Sequence, residues 1–410
     1  MFNRGKYFLF QTVLILLSPI TSFLVSLRYY KSSVSQFFFI IFAMYLGYYM
    51  GFVYDLMRHY MEIPMYYVGR DFRDITNDFR IYALGREPYH ILLKYIFSRC
   101  TDSRQLGGAV ASGLYAASFI FFFRQLKVFY NNKLPLFCTM LLLCVATVIE
   151  FYWYQGLRFW FGVYIFMGFY MKYLNSGKWW WLLCTPLVIL IHYSLITLIL
   201  VMLLNFALNF AGKYVRIGLL ALSLFFKSLN IDFVPYMLYY FPWTAELGTG
   251  YSNEAIREKA LDRMSTVRES GNLLYFNRLT IILIIAMFFL FVMKRCKAQF
   301  SKQYLNLFYL AMTLYTVSCF GYADLTFYGR FVKAAVLMLY TYVFITAAQS
   351  VRNWSRYNIM LFIIASAPFA YSFFMSFVQL RNFFFYVELI FGNFFVDWDG
   401  NALKMKYDWF

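Results

Sequence analysis

The sequence predicts an all-α, polytopic integral membrane protein, and three observations carry the prediction. Hydrophobic residues make up 62% of the 410-residue chain and charged ones only 14%, where a soluble domain of ordinary composition has roughly 25% charged residues. Apolar runs recur from residue 8 to residue 377, long enough to cross about 30 Å of hydrocarbon. The loops between them fall into two kinds, one basic and free of acids, the other mixing both signs, and this asymmetry orients membrane proteins. Residues 1–410 therefore read as a single membrane-embedded domain of about 11–12 transmembrane helices.

The net charge of +18 would suggest nucleic-acid binding in a soluble protein. Here Lys and Arg fall mostly in short loops, which is the positive-inside pattern and no nucleic-acid footprint. The six cysteines, Cys100, Cys138, Cys144, Cys184, Cys296 and Cys319, show no CxxC spacing and lie mostly in or beside apolar runs, so neither a disulfide nor a zinc site is expected. Aromatic residues reach 24%, which fits interfacial belts, sugar-stacking surfaces or a base-composition bias in the gene.

In chain order, the first span is expected at 8–27 and the second at 34–54, joined by the basic turn 28–33. A long hydrophilic stretch follows, from Asp55 to Leu106. Within it Ile91, Leu92, Tyr95 and Ile96 share one helical face, with Lys94 and Arg99 elsewhere, the pattern of an interfacial amphipathic helix. Spans are expected at 107–123, 135–149 and 159–171. The run 179–210 is too long for one span and is interrupted by Pro186 and His192, so it predicts two half-spans forming a broken-helix hairpin that meets near His192.

Charge supports the hairpin. With it, the acid-free basic turns 28–33, 124–133, 172–178, 211–216, 294–302 and 349–357 all fall on one side, the cytoplasmic one by the positive-inside rule. Further spans are expected at 214–231, 279–293, 304–319, 331–348 and 357–377, with a second exterior loop at 240–278 and an exterior tail at 379–410. One misfit remains: Arg4 and Lys6 would lie outside.

Chemistry is expected on the exterior face, where the mixed-charge segments collect. There is no GxxxxGK[ST] loop and no GxGxxG before a helix, so the substrate should arrive already energised and membrane-borne. Arg158 opens an apolar helix beside Trp153, Tyr154 and Trp160, and Arg330 repeats the arrangement in the FYGRF stretch. A guanidinium suits phosphate oxygens and stays charged in an apolar setting; the plainer alternative is an arginine reaching to lipid headgroups. His192, followed by Ser194, is either a proton acceptor for a sugar hydroxyl or a cap on the broken backbone. Carboxylates are the other class of base. Asp71, Asp74, Asp78 and Glu87 are interleaved with Arg70, Arg73, Arg80 and Arg86, and Glu150 stands shortly before Arg158; interleaved charges also pair on solvated surfaces. The three histidines lack the spacing of a metal site.

Several of these short elements, in this order, resemble the EpsG family of polysaccharide polymerases, relatives of the Wzy-type O-antigen polymerases. Asp78-Phe79-Arg80-Ile81-Tyr82 is similar to that family's D-[YF]-x-x-Y element, and Glu87-Pro88-Tyr89 to its E-P-[GY] element. Arg158 and its helix resemble an R-Q-x-[LI]-A helix, with Phe159 in place of the Gln; Ile191-His192-Tyr193-Ser194 resembles an F-H-x-S element and Arg330-Phe331 an R-[FY] pair. The resemblance implies an enzyme that polymerises undecaprenyl-diphosphate-linked oligosaccharide repeat units on the outer face of the bacterial inner membrane, by an inverting, metal-independent glycosyl transfer with no cofactor. It implies Arg158 and Arg330, with Tyr82, Arg86, Glu150 and Ser194 near them, as substrate-binding residues. His192, Asp78 or Glu87 would be the catalytic base. A chain-length regulator and a flippase are the protein partners such a reading admits. The rivals are a flippase for the same lipid-linked glycans, a membrane carbohydrate O-acyltransferase, and a metal-dependent transferase adding single sugars.

Overall fold

The structure, a computed structural model, describes residues 4–50, 63, 66–75, 77, 88–100, 103–130, 134–149, 157–229, 273–295, 301–322, 325–350 and 358–381. It is all-α, with no strand among the described residues. Three helical stretches in it, Gln105–Gln125, Tyr193–Ala211 and Phe327–Gln349, are long and apolar enough to cross a membrane. Apolar side chains also cover much of the outside of the bundle, Phe210, Leu17 and Ile359 among them, far beyond the isolated exposed leucines of a water-facing surface.

The first departure from the sequence reading comes at once. The expected span at 8–27 is two helices, α1 (Arg4–Leu17) and α2 (Pro19–Arg28). Ser18 is extended and Pro19, which has no amide hydrogen to donate, opens the second helix. The two run antiparallel: the Tyr7 ring lies 5.6 Å from that of Tyr29, and Arg4 Nη2 donates to Ser33 Oγ at 2.8 Å. Between them Ser22 Oγ donates to Gln11 Oε1 (2.7 Å) and Gln11 Nε2 donates to the Tyr7 hydroxyl (2.9 Å). That hydroxyl in turn meets Ser35 Oγ of α3 (Ser33–Met50) at 2.8 Å. A reversal at Ser18 brings Arg4 and Lys6 to the end of the bundle that holds Arg28 and Lys31, which removes the charge misfit.

Helix α4 (Pro88–Cys100) matches the expected amphipathic helix in extent, with one correction to its faces. Leu92 and Ile96 point outward, whereas Lys94 is buried, its ammonium 5.9 Å from the Tyr67 ring. Helix α5 (Arg104–Gln125) lies along α3. At their crossing Gly47 faces Gly108 and Ser112 so closely that a methyl group would collide with both, the small-residue contact that lets apolar helices approach.

The longer helices that follow among the described residues are α6 (Leu136–Thr147), α7 (Leu157–Ser176), α8 (Ile196–Ala211), α9 (Lys213–Leu229), α10 (Leu273–Arg295), α11 (Lys302–Phe320), α12 (Leu325–Gln349) and α13 (Asn358–Arg381). Helix α12 is the axis of the second half. Its apolar stretch is 94% buried, surrounded by α6, α10 and α11, as expected of a helix apolar on every side. Between α7 and α8 the chain is broken as the sequence predicts, with one turn at Trp180–Leu183, then 3-10 segments at Thr185–Leu190 and Tyr193–Leu195, but the second limb is no half-span, since Tyr193–Ala211 is long and apolar enough to cross a membrane by itself. Thr185 touches Met202 across the break, so 180–190 and α8 fold back on one another.

Contacts tie the borders of the basic turns into one end of the bundle. Arg124 Nε donates to Gln36 Oε1 at 2.7 Å. Asn175 bonds the Gln125 carbonyl (2.8 Å) and the Tyr304 hydroxyl (3.0 Å), and Gln303 bonds the Leu174 carbonyl. The starts of α7 and α12 and the tip of the 180–211 reversal lie at the other end.

Candidate functional site

Phe159 is the centre of that other end. It sits in the first turn of α7, one residue after Arg158, and is 2% exposed. The His192 ring stands perpendicular to it at 5.9 Å, and the Phe331 ring meets it edge-on at 5.3 Å. The Arg330 guanidinium lies over the Phe159 face at 5.5 Å. One phenyl ring thus gathers the arginine helix, the histidine tip and the Arg330-Phe331 pair, three elements widely separated in sequence. Arg158, His192, Ser194 and Arg330 are half-buried around it.

The tip is held close by a missing side chain. Gly162, one turn into α7, lies against Leu195 and Ile191, with no room for a methyl group. His192 itself is extended (φ −155°, ψ 122°) and is the N-cap of the second 3-10 segment. Its Nδ1 accepts the Ser194 N–H at 3.3 Å and lies 3.2 Å from Ser194 Oγ. A ring that accepts at Nδ1 carries its neutral-state proton on Nε2. Any proton it gains therefore arrives at Nδ1, where the Ser194 hydroxyl sits, and Nε2–H remains a donor.

Two residues join the site that the sequence reading had not placed there. Lys333, one turn along α12 from Arg330, is 2% exposed, with its ammonium 5.9 Å from the Trp160 ring. The i, i+3 spacing of Arg330 and Lys333 in an apolar helix was the available signal. Tyr89, of the Glu87-Pro88-Tyr89 element, stacks on Phe161 at 5.3 Å. Its hydroxyl is buried with no hydrogen-bond partner among the described residues. Burial pushes its pKa up, so the group stays protonated and able to donate. Asp78, Tyr82, Arg86, Glu87 and Glu150 lie outside the described residues.

A further cation stands across α12. Lys227 of α9 donates to the Tyr328 hydroxyl at 2.7 Å, between the rings of Tyr322 (5.1 Å) and Tyr328 (4.8 Å). Thr280 Oγ1 meets the same hydroxyl at 3.2 Å. Tyr328 and Arg330 are about 200° apart around their helix, so Lys227 does not share the Phe159 site. Comparison with known proteins adds no relative: no family model, curated protein or solved structure matches the chain.

Proposed function

We propose that the chain is a polytopic membrane glycosyltransferase that polymerises undecaprenyl-diphosphate-linked oligosaccharides, its site facing the exterior of a bacterial inner membrane. The observation that carries the proposal is the convergence on Phe159 of Arg330 and His192, with Arg158 adjacent in the chain, at the end of the bundle away from the basic turns. Positive turns on the cytoplasmic side leave this end outside. A donor diphosphate carries its charge into a mostly apolar setting and gains charge as it leaves, which half-buried guanidiniums are suited to offset.

In this reading Arg158 and Arg330 hold the donor diphosphate. The acceptor sugar hydroxyl attacks the anomeric carbon, the bond from that carbon to the diphosphate oxygen breaks, and polyprenyl diphosphate departs with the electron pair. The configuration at the anomeric carbon inverts. The hydroxyl proton passes through Ser194 Oγ to His192 Nδ1, the direction that the 3.2 Å contact favours, while Nε2–H donates to an anionic oxygen. Asp78 or Glu87 is the alternative proton acceptor. The reading needs neither a nucleotide nor a metal ion, because the donor is already energised and the arginines oppose the leaving charge.

The test is a gel of lipid-linked oligosaccharide incubated with purified protein in nanodiscs without nucleotide or added metal. A ladder of regular spacing is expected from the wild type, lost in Arg158→Ala and Arg330→Ala variants that still elute as folded protein. Repeat units that remain at their original length would sink the proposal, and movement of the unextended lipid across vesicle membranes would mark a flippase instead.

A further inference from the structure

Lys227 carries a charge that the mechanism above does not use. It lies near the end of α9, where that helix meets the first turn of α12, at the end of the bundle that also holds Phe159. Helices α9 to α12 contain no aspartate or glutamate, and a cation withdrawn from water is costly unless an anion or hydrogen bonds offset it. A lysine that only snorkels sends its ammonium outward to the headgroups. That of Lys227 is turned inward, donating at 2.7 Å to the hydroxyl of the fully buried Tyr328. An ammonium has three N–H bonds to give, and among the described residues this one has Tyr328 as its single hydrogen-bond partner. Lys227 and Tyr322 are both half-buried, so the group is reached from one side. The surface on that helix is apolar, with Leu222, Leu224 and Phe225 exposed. An anion that arrives there along the membrane is carried on an amphiphile.

We infer that Lys227 binds the diphosphate of the acceptor lipid, at a second site apart from the donor diphosphate at Arg158 and Arg330. The inference rests on the polymerase reading for the identity of the lipid and extends it to the second substrate. The donor reacts at the carbon bonded to its own diphosphate, whereas the acceptor reacts through a sugar hydroxyl removed from its diphosphate by the length of its glycan. The two diphosphates therefore have to lie at one depth in the membrane and apart from each other. Tyr328, which holds Lys227, and Arg330 differ by about 3 Å of helix rise and point to opposite sides of α12, a helix about 10–12 Å across with its side chains. Depth is thus shared, and α12 separates the two groups by a gap that a repeat unit of a few sugars bridges. The rings of Tyr322 and Tyr328, 5.1 and 4.8 Å from the ammonium, support the charge in the absence of the lipid.

The test uses the full-length protein in phosphatidylcholine nanodiscs, with undecaprenyl diphosphate as the probe and native mass spectrometry to count the copies bound. The wild type is expected to take two. Lys227→Met should take one, the affinity for the lost copy falling by about ten- to a hundredfold as a charged hydrogen bond goes, and Lys227→Arg should recover it. Arg330→Ala should lose the other copy. Tyr322→Leu, which leaves the charge and removes a ring, should weaken the same copy as Lys227→Met to a smaller extent, and it carries the test if the methionine variant elutes as misfolded protein. Undecaprenol should not bind at this position, and phosphatidylglycerol should not displace the probe. One copy on the wild type, two on a folded Lys227→Met variant, or displacement of the second copy by phosphatidylglycerol at equal concentration would each overturn the inference, the last by marking a general headgroup site. A ladder from a wild type that binds a single copy removes only the acceptor site. Two copies, one of them lost with Lys227, and no ladder from any donor removes the polymerase reading and keeps Lys227 as a lipid-diphosphate site.

Discussion

Among the described residues two of the apolar runs turn back on themselves part-way, at Ser18 and at 190–196, and these two reversals use their polar groups differently. Between α1 and α2 the polar groups that meet inside the hairpin are uncharged and enclosed: Gln11, Tyr7, Ser22, Ser26 and Ser35 are all nearly or fully buried and bond to one another. At the 190–196 turn Ile191 to Ser194 are half-buried, and the polar group at the apex faces an aromatic ring shared with a guanidinium. Polar residues that consume each other's hydrogen bonds fix an architecture. Polar residues held at a tip beside a cation are placed to meet something else. A break in an apolar helix is thus no marker of function until its partners are known.

The comparison is broken most severely if the open reversal proves dispensable. Arg330→Ala should cut polymer formation by about 10² to 10³, the loss of a donor to developing negative charge, with folding retained by size-exclusion chromatography. Removing the relay comes next: Ser194→Ala should slow chain growth by about tenfold. Ser194→Thr should recover much of that rate if the hydroxyl, and no mere packing role, is what matters. In the closed reversal the effect should fall on stability alone. Gln11→Leu takes away the acceptor of the Ser22 hydroxyl and leaves the Tyr7 hydroxyl with Ser35, and should cost about 1–3 kcal/mol, read as an earlier thermal unfolding midpoint in detergent, with activity per folded molecule unchanged. The smallest effect is expected at Gly162→Ala, where Leu195 must swing aside; a shift of about twofold in rate without loss of stability would place the tip's position under the control of α7.

The helices outside the first hairpin were legible in the sequence because hydropathy and loop charge act over whole segments. The 180–211 break was legible for the same reason: only a reversal there kept the basic turns on one side. The first reversal was not, since Ser18 and Pro19 lie inside an apolar run and Gln11, Ser22 and Ser26 read as scattered polar residues. Their mutual pairing depends on a fold-back that no local pattern announces. The misplaced Arg4 and Lys6 were the one clue. At the site, Arg158, His192 and Arg330 were singled out by charge in an apolar setting, which is a property of single residues. The role of Phe159 was not, because it depends on three distant segments meeting. The sequence showed it only as the residue in place of an expected Gln.

The sheathing of α12 also constrains how the protein is made. In a bilayer a charged side chain costs up to about 2.5–3.5 kcal/mol, the most at the helix centre, and α12 carries Arg330 and Lys333 near its start on a segment otherwise enclosed by protein. It gains little by facing lipid alone. Its neighbours α6, α10 and α11 precede it in the chain, so a receiving cradle is already synthesised when α12 emerges, and α13 follows to close the side that Lys333 faces. Biogenesis should therefore stall at α12 in any variant whose α10 or α11 fails to insert, leaving a truncated-like intermediate open to quality-control proteolysis.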